Sequence, residues 1–191
     1  MKIAFDVYGV VLKSIDVILE YINEKSGRNL TPDDLAMWDL EPLGIDLPTL
    51  HDAVRHMYSL PRIQHYEGAV RVLSAVHRIS REPLLFITGR VDPNTARRQL
   101  EALPWNPTVP EMVVTGGDRY KLDHLHANQV DFIVEDDPKH VKEYLDAGFG
   151  VGLMLQPWNR NTLIPVTERF NGWGDLERWF VNLSSATPTR P

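Results

Sequence analysis

Residues 3–11 read Ile3-Ala4-Phe5-Asp6-Val7-Tyr8-Gly9-Val10-Val11, a short apolar run that ends in an acidic residue. Such a run, followed by a turn residue, is typical of a buried parallel strand. Similar short apolar runs, bounded by acidic, Gly or Pro residues, recur at residues 84–88, 112–114, 132–134 and 151–155. The sequence therefore predicts a parallel sheet that includes residues 3–5 as its first strand.

Segments with helical periodicity separate these predicted strands. They lie at residues 68–79, 94–103, 120–127 and 138–147. An alternation of strands and helices predicts an α/β fold, here a Rossmann-like, doubly wound parallel sheet with helices on both faces.

Residues 13–65 break the alternation because they contain helical segments and no strand signal. Apolar residues recur at helical spacing in 14–24, Thr31 precedes Pro32 as an N-cap precedes the first turn of a helix, and 49–60 is again helical. We predict a small helical cap, residues 13–65, inserted after the first strand of a core formed by residues 1–12 and 66–183. The Ser, Thr and Pro content of residues 184–191 predicts a disordered tail.

Composition and charge exclude several classes of function. The 191 residues are 43% hydrophobic and 24% charged, which is typical of one globular domain with an insert. A net charge of -6 argues against binding to duplex nucleic acid, which requires clustered Lys and Arg. The absence of cysteine excludes disulfides, thiolate metal sites and cysteine nucleophiles. No segment approaches the ~20 apolar residues of a membrane span, so we expect a cytoplasmic protein that does not contact membranes.

Polar residues follow three of the predicted strands at the edge where an open parallel sheet binds its ligands, and Lys121 opens the helix before the strand at 132–134. They comprise a nucleophile, a hydroxyl, an ammonium group and an acidic cluster suited to a divalent cation. In chain order they are Asp6, Thr88-Gly89-Arg90, Lys121 and Glu135-Asp136-Asp137. We expect them to form one site, in which Asp137 caps the helix that begins at Pro138.

These segments resemble, in order, the four motifs of the haloacid dehalogenase-like (HAD) superfamily of hydrolases, over nearly the whole chain. The matching segments are residues 3–11, 85–90, Lys121 and 132–138. The resemblance implies that Asp6 attacks phosphorus and forms an aspartyl-phosphate, and that Thr88 and Lys121 hold the phosphoryl oxygens. It also implies a Mg²⁺ cofactor, bound by the first motif together with the acidic fourth motif. The expected ligands are Asp6, the Tyr8 carbonyl and Glu135 or Asp136.

A phosphate monoester is anionic and repels an incoming carboxylate. A divalent cation at this position would neutralise that repulsion. Gly89 and Arg90 adjoin Thr88, so both are candidate substrate contacts. A surface salt bridge is the alternative role for Arg90.

A narrower resemblance is to the 5'(3')-deoxyribonucleotidase branch of the superfamily. It is carried by residues 24–34, 38–40, 66–70 and 156–159. It implies a cap in which Trp38 covers a nucleobase by stacking, and a nucleoside monophosphate as the substrate. The expected partner is thus a small phosphorylated metabolite or nucleotide, and a homodimer is compatible with this hypothesis.

Tyr8 departs from the phosphatase pattern, which has a second aspartate two residues after the nucleophile. That aspartate protonates the leaving group, and a phenol is a weak substitute, so slow turnover is expected. Tyr8 also resembles the first motif of the 2-haloacid dehalogenases, whose halide product needs no proton. The acidic fourth motif would repel an anionic haloacid and favours the phosphatase. A third hypothesis is a phosphate-binding protein that has lost turnover.

Overall fold

The computed structural model describes residues 1–37, 40–89, 92–117 and 121–186. The described residues form a six-stranded, entirely parallel sheet in the order β3-β2-β1-β4-β5-β6. The strands are β1 Ile3–Asp6, β2 Leu84–Thr88, β3 Met112–Gly116, β4 Phe132–Glu135, β5 Gly150–Met154 and β6 Glu168–Phe170. The doubly wound α/β fold predicted from the sequence is confirmed.

Helices cover both faces of the sheet. They are α1 Ser14–Ser26, α2 Leu47–Ser59, α3 Ala69–Ser80, α4 Pro93–Glu101, α5 Lys121–Ala127, α6 Pro138–Asp146 and α7 Trp173–Ala186, with 3₁₀ turns at Pro32–Asp34 and Glu41–Leu43. Alternate strand residues point to opposite faces and build two hydrophobic clusters. On one face Ala4 and Ile133 pack with Leu125 of α5 and Val141 of α6. On the other, Phe5 packs with residues of α3 and α7.

Residues 13–37 and 40–65 contain α1, α2 and the two 3₁₀ turns, with one isolated bridge between Leu12 and His65. The segment after Thr31 is a single 3₁₀ turn rather than a helix, because Leu35 already has an extended backbone. Buried residues of this insert, such as Ile18 and Met57, belong to the same hydrophobic cluster as Phe5 of the core. The division of the chain into a core and a cap stays a prediction.

The C-terminal part of the chain contains two elements that the sequence patterns did not predict. Strand β6 has only three residues, two of them charged, so it lacks an apolar run. Helix α7 continues to Ala186 and so includes the first three residues of the predicted tail, while residues 187–191 lie outside the described residues. Within the described residues, no helix is both long and apolar enough to span a membrane.

Candidate active site

A small polar cavity lies at the carboxyl edge of the three central strands. Asp6 ends β1, Thr88 ends β2 and Glu135 ends β4, and β1 lies between the other two strands. The cavity has a volume of about 140 Å³. Its lining residues are Asp6, Tyr8, Thr88, Gly89, Lys121, Glu135, Asp136, Asp137 and His140. The four segments singled out in the sequence therefore converge on one site.

Lys121 joins two of the carboxylates. Its Nζ donates to Asp6 Oδ1 at 2.6 Å and to Glu135 Oε2 at 2.9 Å, and all three side chains are buried. Helix α5 begins at Lys121, which directs this side chain toward the ends of β1 and β4. The ammonium group is thus held beside the predicted nucleophile, where it can also reach an anionic substrate.

Three buried carboxylates surround this ammonium group. Ligand oxygens of Asp6, Glu135 and Asp136 all lie within 4.8 Å of one another. Burial raises the pKa of Asp6 to about 6, although Lys121 opposes this shift. Burial also raises the pKa of Asp136 well above its usual value, and the charges of Glu135 and Asp6 add to this effect. The single positive charge of Lys121 cannot neutralise three ionised carboxylates. The cluster therefore fits a divalent cation bound through oxygen ligands.

Glu135 is the carboxylate that is most firmly kept ionised. Its Oε1 accepts hydrogen bonds from the backbone N–H groups of Asp136 and Asp137 at 3.1 and 3.2 Å, and Tyr144 donates to its Oε2 at 3.2 Å. Burial would raise the pKa of Glu135, but Lys121, His140 and the hydrogen bond from the Asp137 N–H lower it below the usual value. In turn, burial lowers the pKa of Lys121, while the carboxylates of Asp6 and Glu135 raise it well above its usual value. The Glu135–Lys121 pair therefore carries opposite charges over the neutral pH range.

Gly9 lets the loop after β1 approach the acidic cluster. Its φ of 92° lies in the region that L side chains rarely adopt, and a Cβ at this position would lie 2.3 Å from Asp136 Oδ2. The glycine of the first motif is therefore required both by its backbone conformation and by the space that Asp136 occupies.

Tyr8 lines the cavity, and its hydroxyl is held by a buried polar group. The Tyr8 hydroxyl donates to Gln99 Oε1 at 2.8 Å, and Gln99 Nε2 donates to the carbonyls of Met57 at 3.2 Å and Leu60 at 2.9 Å. The ring of Tyr8 meets that of Tyr58 edge-on, with centroids 5.7 Å apart. These contacts tie the loop after Asp6 to the C-terminal end of α2 through Gln99 of α4.

The same fold occurs in several solved structures. No family model matches the sequence, and no curated protein is similar to it in sequence. A protein from Bacteroides vulgatus that is assigned as a beta-phosphoglucomutase superposes with a TM-score of 0.61 and 16% identity, covering 98% of this chain and 90% of its own. A dehalogenase superposes with a TM-score of 0.61 and 12% identity, covering 93% and 96%. A structure assigned as the HAD hydrolase YfnB from Bacillus subtilis, bound to magnesium, has a TM-score of 0.60 and 14% identity, covering 94% and 98%.

The chain has the HAD-like fold. At identities of this size the superpositions establish the architecture alone, which phosphatases and dehalogenases share. The HAD-like sheet nevertheless explains why the site forms where it does, since its ligands bind beyond the carboxyl ends of the strands.

Most of the predicted site residues meet at the carboxyl edge of the sheet. Asp6, Tyr8, Thr88, Gly89, Lys121, Glu135 and Asp136 all line the cavity. Two predicted substrate contacts, Trp38 and Arg90, lie outside the described residues. Asp137 caps α6 as predicted, because its side chain accepts from the N–H of Lys139 at 2.8 Å, and it also lines the cavity.

Two residues of the site were missed by the sequence patterns. His140 lines the cavity from the first turn of α6 and pairs with Glu143 at 3.1 Å. Its position three residues after the Asp137 cap is the only local signal that could have indicated it. Gln99 is 1% exposed and lies 91 residues from Tyr8 in the chain, so no local pattern could have paired them.

Proposed function

We propose that the chain is a Mg²⁺-dependent phosphatase that hydrolyses a small phosphomonoester through an aspartyl-phosphate at Asp6. One observation carries this proposal: Asp6 contacts Lys121 at 2.6 Å inside a buried cluster of three carboxylates. This arrangement supports the proposal, because a carboxylate, an ammonium group suited to phosphoryl oxygens and carboxylates suited to a divalent metal ion lie close together.

Each residue has a distinct role in the proposed reaction. An oxygen of ionised Asp6 attacks phosphorus and the bond from phosphorus to the leaving oxygen breaks, after which water hydrolyses the aspartyl-phosphate and releases phosphate. Lys121 and the Thr88 hydroxyl stabilise the charge on the non-bridging oxygens. Asp6, Glu135 and Asp136 would hold Mg²⁺, with the Tyr8 carbonyl as the further predicted ligand, and the metal ion would supply electrostatic shielding between nucleophile and phosphate.

The proposed mechanism has no positioned proton donor for the leaving group among the described residues. The Tyr8 hydroxyl already donates to Gln99, so it is held away from the role of a proton donor to substrate. A positioned general acid contributes roughly 10²- to 10⁴-fold in rate, and this chain lacks the aspartate that supplies it in the resembling phosphatases. Aryl phosphates, whose leaving groups barely need a proton, should therefore be cleaved better than alkyl phosphates.

We propose a nucleoside monophosphate as the first substrate to test, on the resemblance of residues 24–34 and 156–159 to the nucleotidase branch. The cavity of about 140 Å³ supports only the phosphoryl end of that substrate, because its described lining comes from the core. Stacking of a base on Trp38 stays a prediction.

A second candidate function is 2-haloacid dehalogenation, and Tyr8 favours it. Halide leaves without a proton, so the absence of an acid at this position costs that reaction nothing. The buried carboxylate of Glu135, which stays ionised, opposes it, because without a metal ion its charge would repel an anionic haloacid.

One metal-dependence panel separates these functions. Phosphate release from p-nitrophenyl phosphate and from nucleoside monophosphates, and chloride release from 2-chloropropionate, are measured in Mg²⁺ and in EDTA. The proposal predicts phosphate release that requires Mg²⁺ and is lost in Asp6→Asn. Chloride release that persists in EDTA would establish the dehalogenase. Stabilisation by phosphate without any turnover would indicate a binding protein instead.

A further inference from the structure

A short segment after β5 holds Asp136 at two points. Trp158 Nε1 donates to Asp136 Oδ2 at 3.0 Å, and Asn159 Nδ2 donates to the Asp136 carbonyl at 2.7 Å and to the Met154 carbonyl at 2.9 Å. Trp158 and Asn159 are 2% and 1% exposed. Neighbouring residues of one segment, Trp158 and Asn159, therefore hold both the side chain and the backbone carbonyl of Asp136.

The same segment also reaches the loop that follows the nucleophile. Gln156 Nε2 donates to the Gly9 carbonyl at 2.6 Å, and its own N–H donates to Asn159 Oδ1 at 2.9 Å. Asp136 is thus confined between Gly9, which has no room for a Cβ, and the indole of Trp158. Residues 156–159 therefore connect the segment that contains Asp6 and Gly9 with the segment that contains Glu135 and Asp136. The pairing of β1 with β4 in the sheet is the other connection between them.

We propose that Trp158 is a positioning residue, whose indole N–H sets the orientation of Asp136 and so determines how tightly the acidic cluster binds Mg²⁺. This inference rests on the proposed function, which supplies the metal ion. An indole N–H can only donate and does not titrate, so it holds one carboxylate oxygen in place at every pH at which the protein is folded. Residues that orient a metal ligand in this way typically contribute about 10- to 100-fold in metal affinity.

Trp173 provides a matched control. It is also 2% exposed, and its Nε1 donates at 3.0 Å to the carbonyl of Val10, a backbone group outside the carboxylate cluster. Replacing either tryptophan by phenylalanine removes a buried indole N–H, but only one of the two replacements releases a proposed metal ligand.

The test is isothermal titration of Mg²⁺ into the full chain and into the variants Trp158→Phe and Trp173→Phe. Trp158→Phe should bind Mg²⁺ about 10- to 100-fold more weakly than the wild type, whereas Trp173→Phe should bind it within about threefold. Equal affinities in the two variants would overturn the role of Trp158 and leave the phosphatase proposal standing. Absence of Mg²⁺ binding in the wild type would overturn both.

A measurement on the unsubstituted protein covers the case in which Trp158→Phe does not fold. The indole N–H resonances of Trp158 and Trp173 are followed in ¹H–¹⁵N spectra during a Mg²⁺ titration. The Trp158 resonance should move with the calorimetric binding curve and further than that of Trp173. A Trp158 resonance that stays in place while Mg²⁺ binds would contradict the proposal.

Discussion

Replacing Lys121 by methionine removes the ammonium group that joins Asp6 and Glu135. The group lies 2.6 Å from one carboxylate and 2.9 Å from the other, and none of the three side chains is more than 7% exposed. Removing one partner of a buried ion pair costs about 3–5 kcal/mol, because the remaining charge has no compensation. For a chain of 191 residues this corresponds to a fall in Tm of roughly 6–20 °C.

The size of this loss should depend on pH and on Mg²⁺. Asp6 has a folded-state pKa of about 6, above its unfolded value, so its protonated form is favoured by folding. Its contribution to stability is therefore full below about pH 4 and is lost as the pH rises through 6. Lys121→Met should accordingly lose less stability at pH 5 than at pH 8, and Mg²⁺ should restore more stability in the variant than in the wild type.

Thermal and urea unfolding at pH 5 and pH 8, with and without Mg²⁺, measure these effects. Lys142→Met is the matched control, since Lys142 pairs with Asp146 at 2.6 Å but is 70% exposed. Its stability should stay close to that of the wild type, because solvent screens an exposed ion pair. A loss in Lys121→Met that is independent of both pH and Mg²⁺ would refute the electrostatic account of the site.

Three further predictions concern the surroundings of the nucleophile. Gln99→Leu removes the buried oxygen that accepts the 2.8 Å hydrogen bond from the Tyr8 hydroxyl and should lower the free energy of unfolding by about 1–3 kcal/mol, measured by urea denaturation. Gly9→Ala should abolish Mg²⁺ binding in a calorimetric titration, since the new Cβ would meet Asp136 Oδ2 at 2.3 Å; unchanged affinity would mean that the loop can move. In a pH profile of kcat/KM, activity should rise as Asp6 ionises near pH 6, and this limb should move to lower pH as the Mg²⁺ concentration rises.

The central fold could be predicted because its strands are short, apolar and buried on both faces. β1, β2 and β4 form the middle of the sheet, and their apolar runs end in the polar residues of the site. Strand β6 lies at the sheet edge and includes Glu168 and Arg169, so its pairing with β5 depends on backbone hydrogen bonds that no side-chain pattern records.

The site was predictable where its residues end strands, and not where contacts are made across the fold. Asp6, Thr88 and Glu135 are brought together by strand order alone. The hydrogen bond of Trp158 with Asp136 is different, because it depends on how residues 156–159 turn back over β4. A buried tryptophan is usually explained by packing, and the sequence gives no sign that its Nε1 donates to Asp136 at 3.0 Å.

The central claim is that Asp6 becomes phosphorylated during turnover. It is tested most directly by mixing the protein with Mg²⁺ and p-nitrophenyl phosphate, quenching in acid within the first turnover, and determining the mass of the peptide that contains residue 6. We predict a peptide that carries one phosphoryl group on Asp6, that disappears in EDTA, and that is absent from Asp6→Asn. Release of phosphate without this modified peptide, at an undiminished rate in Asp6→Asn, would contradict the account.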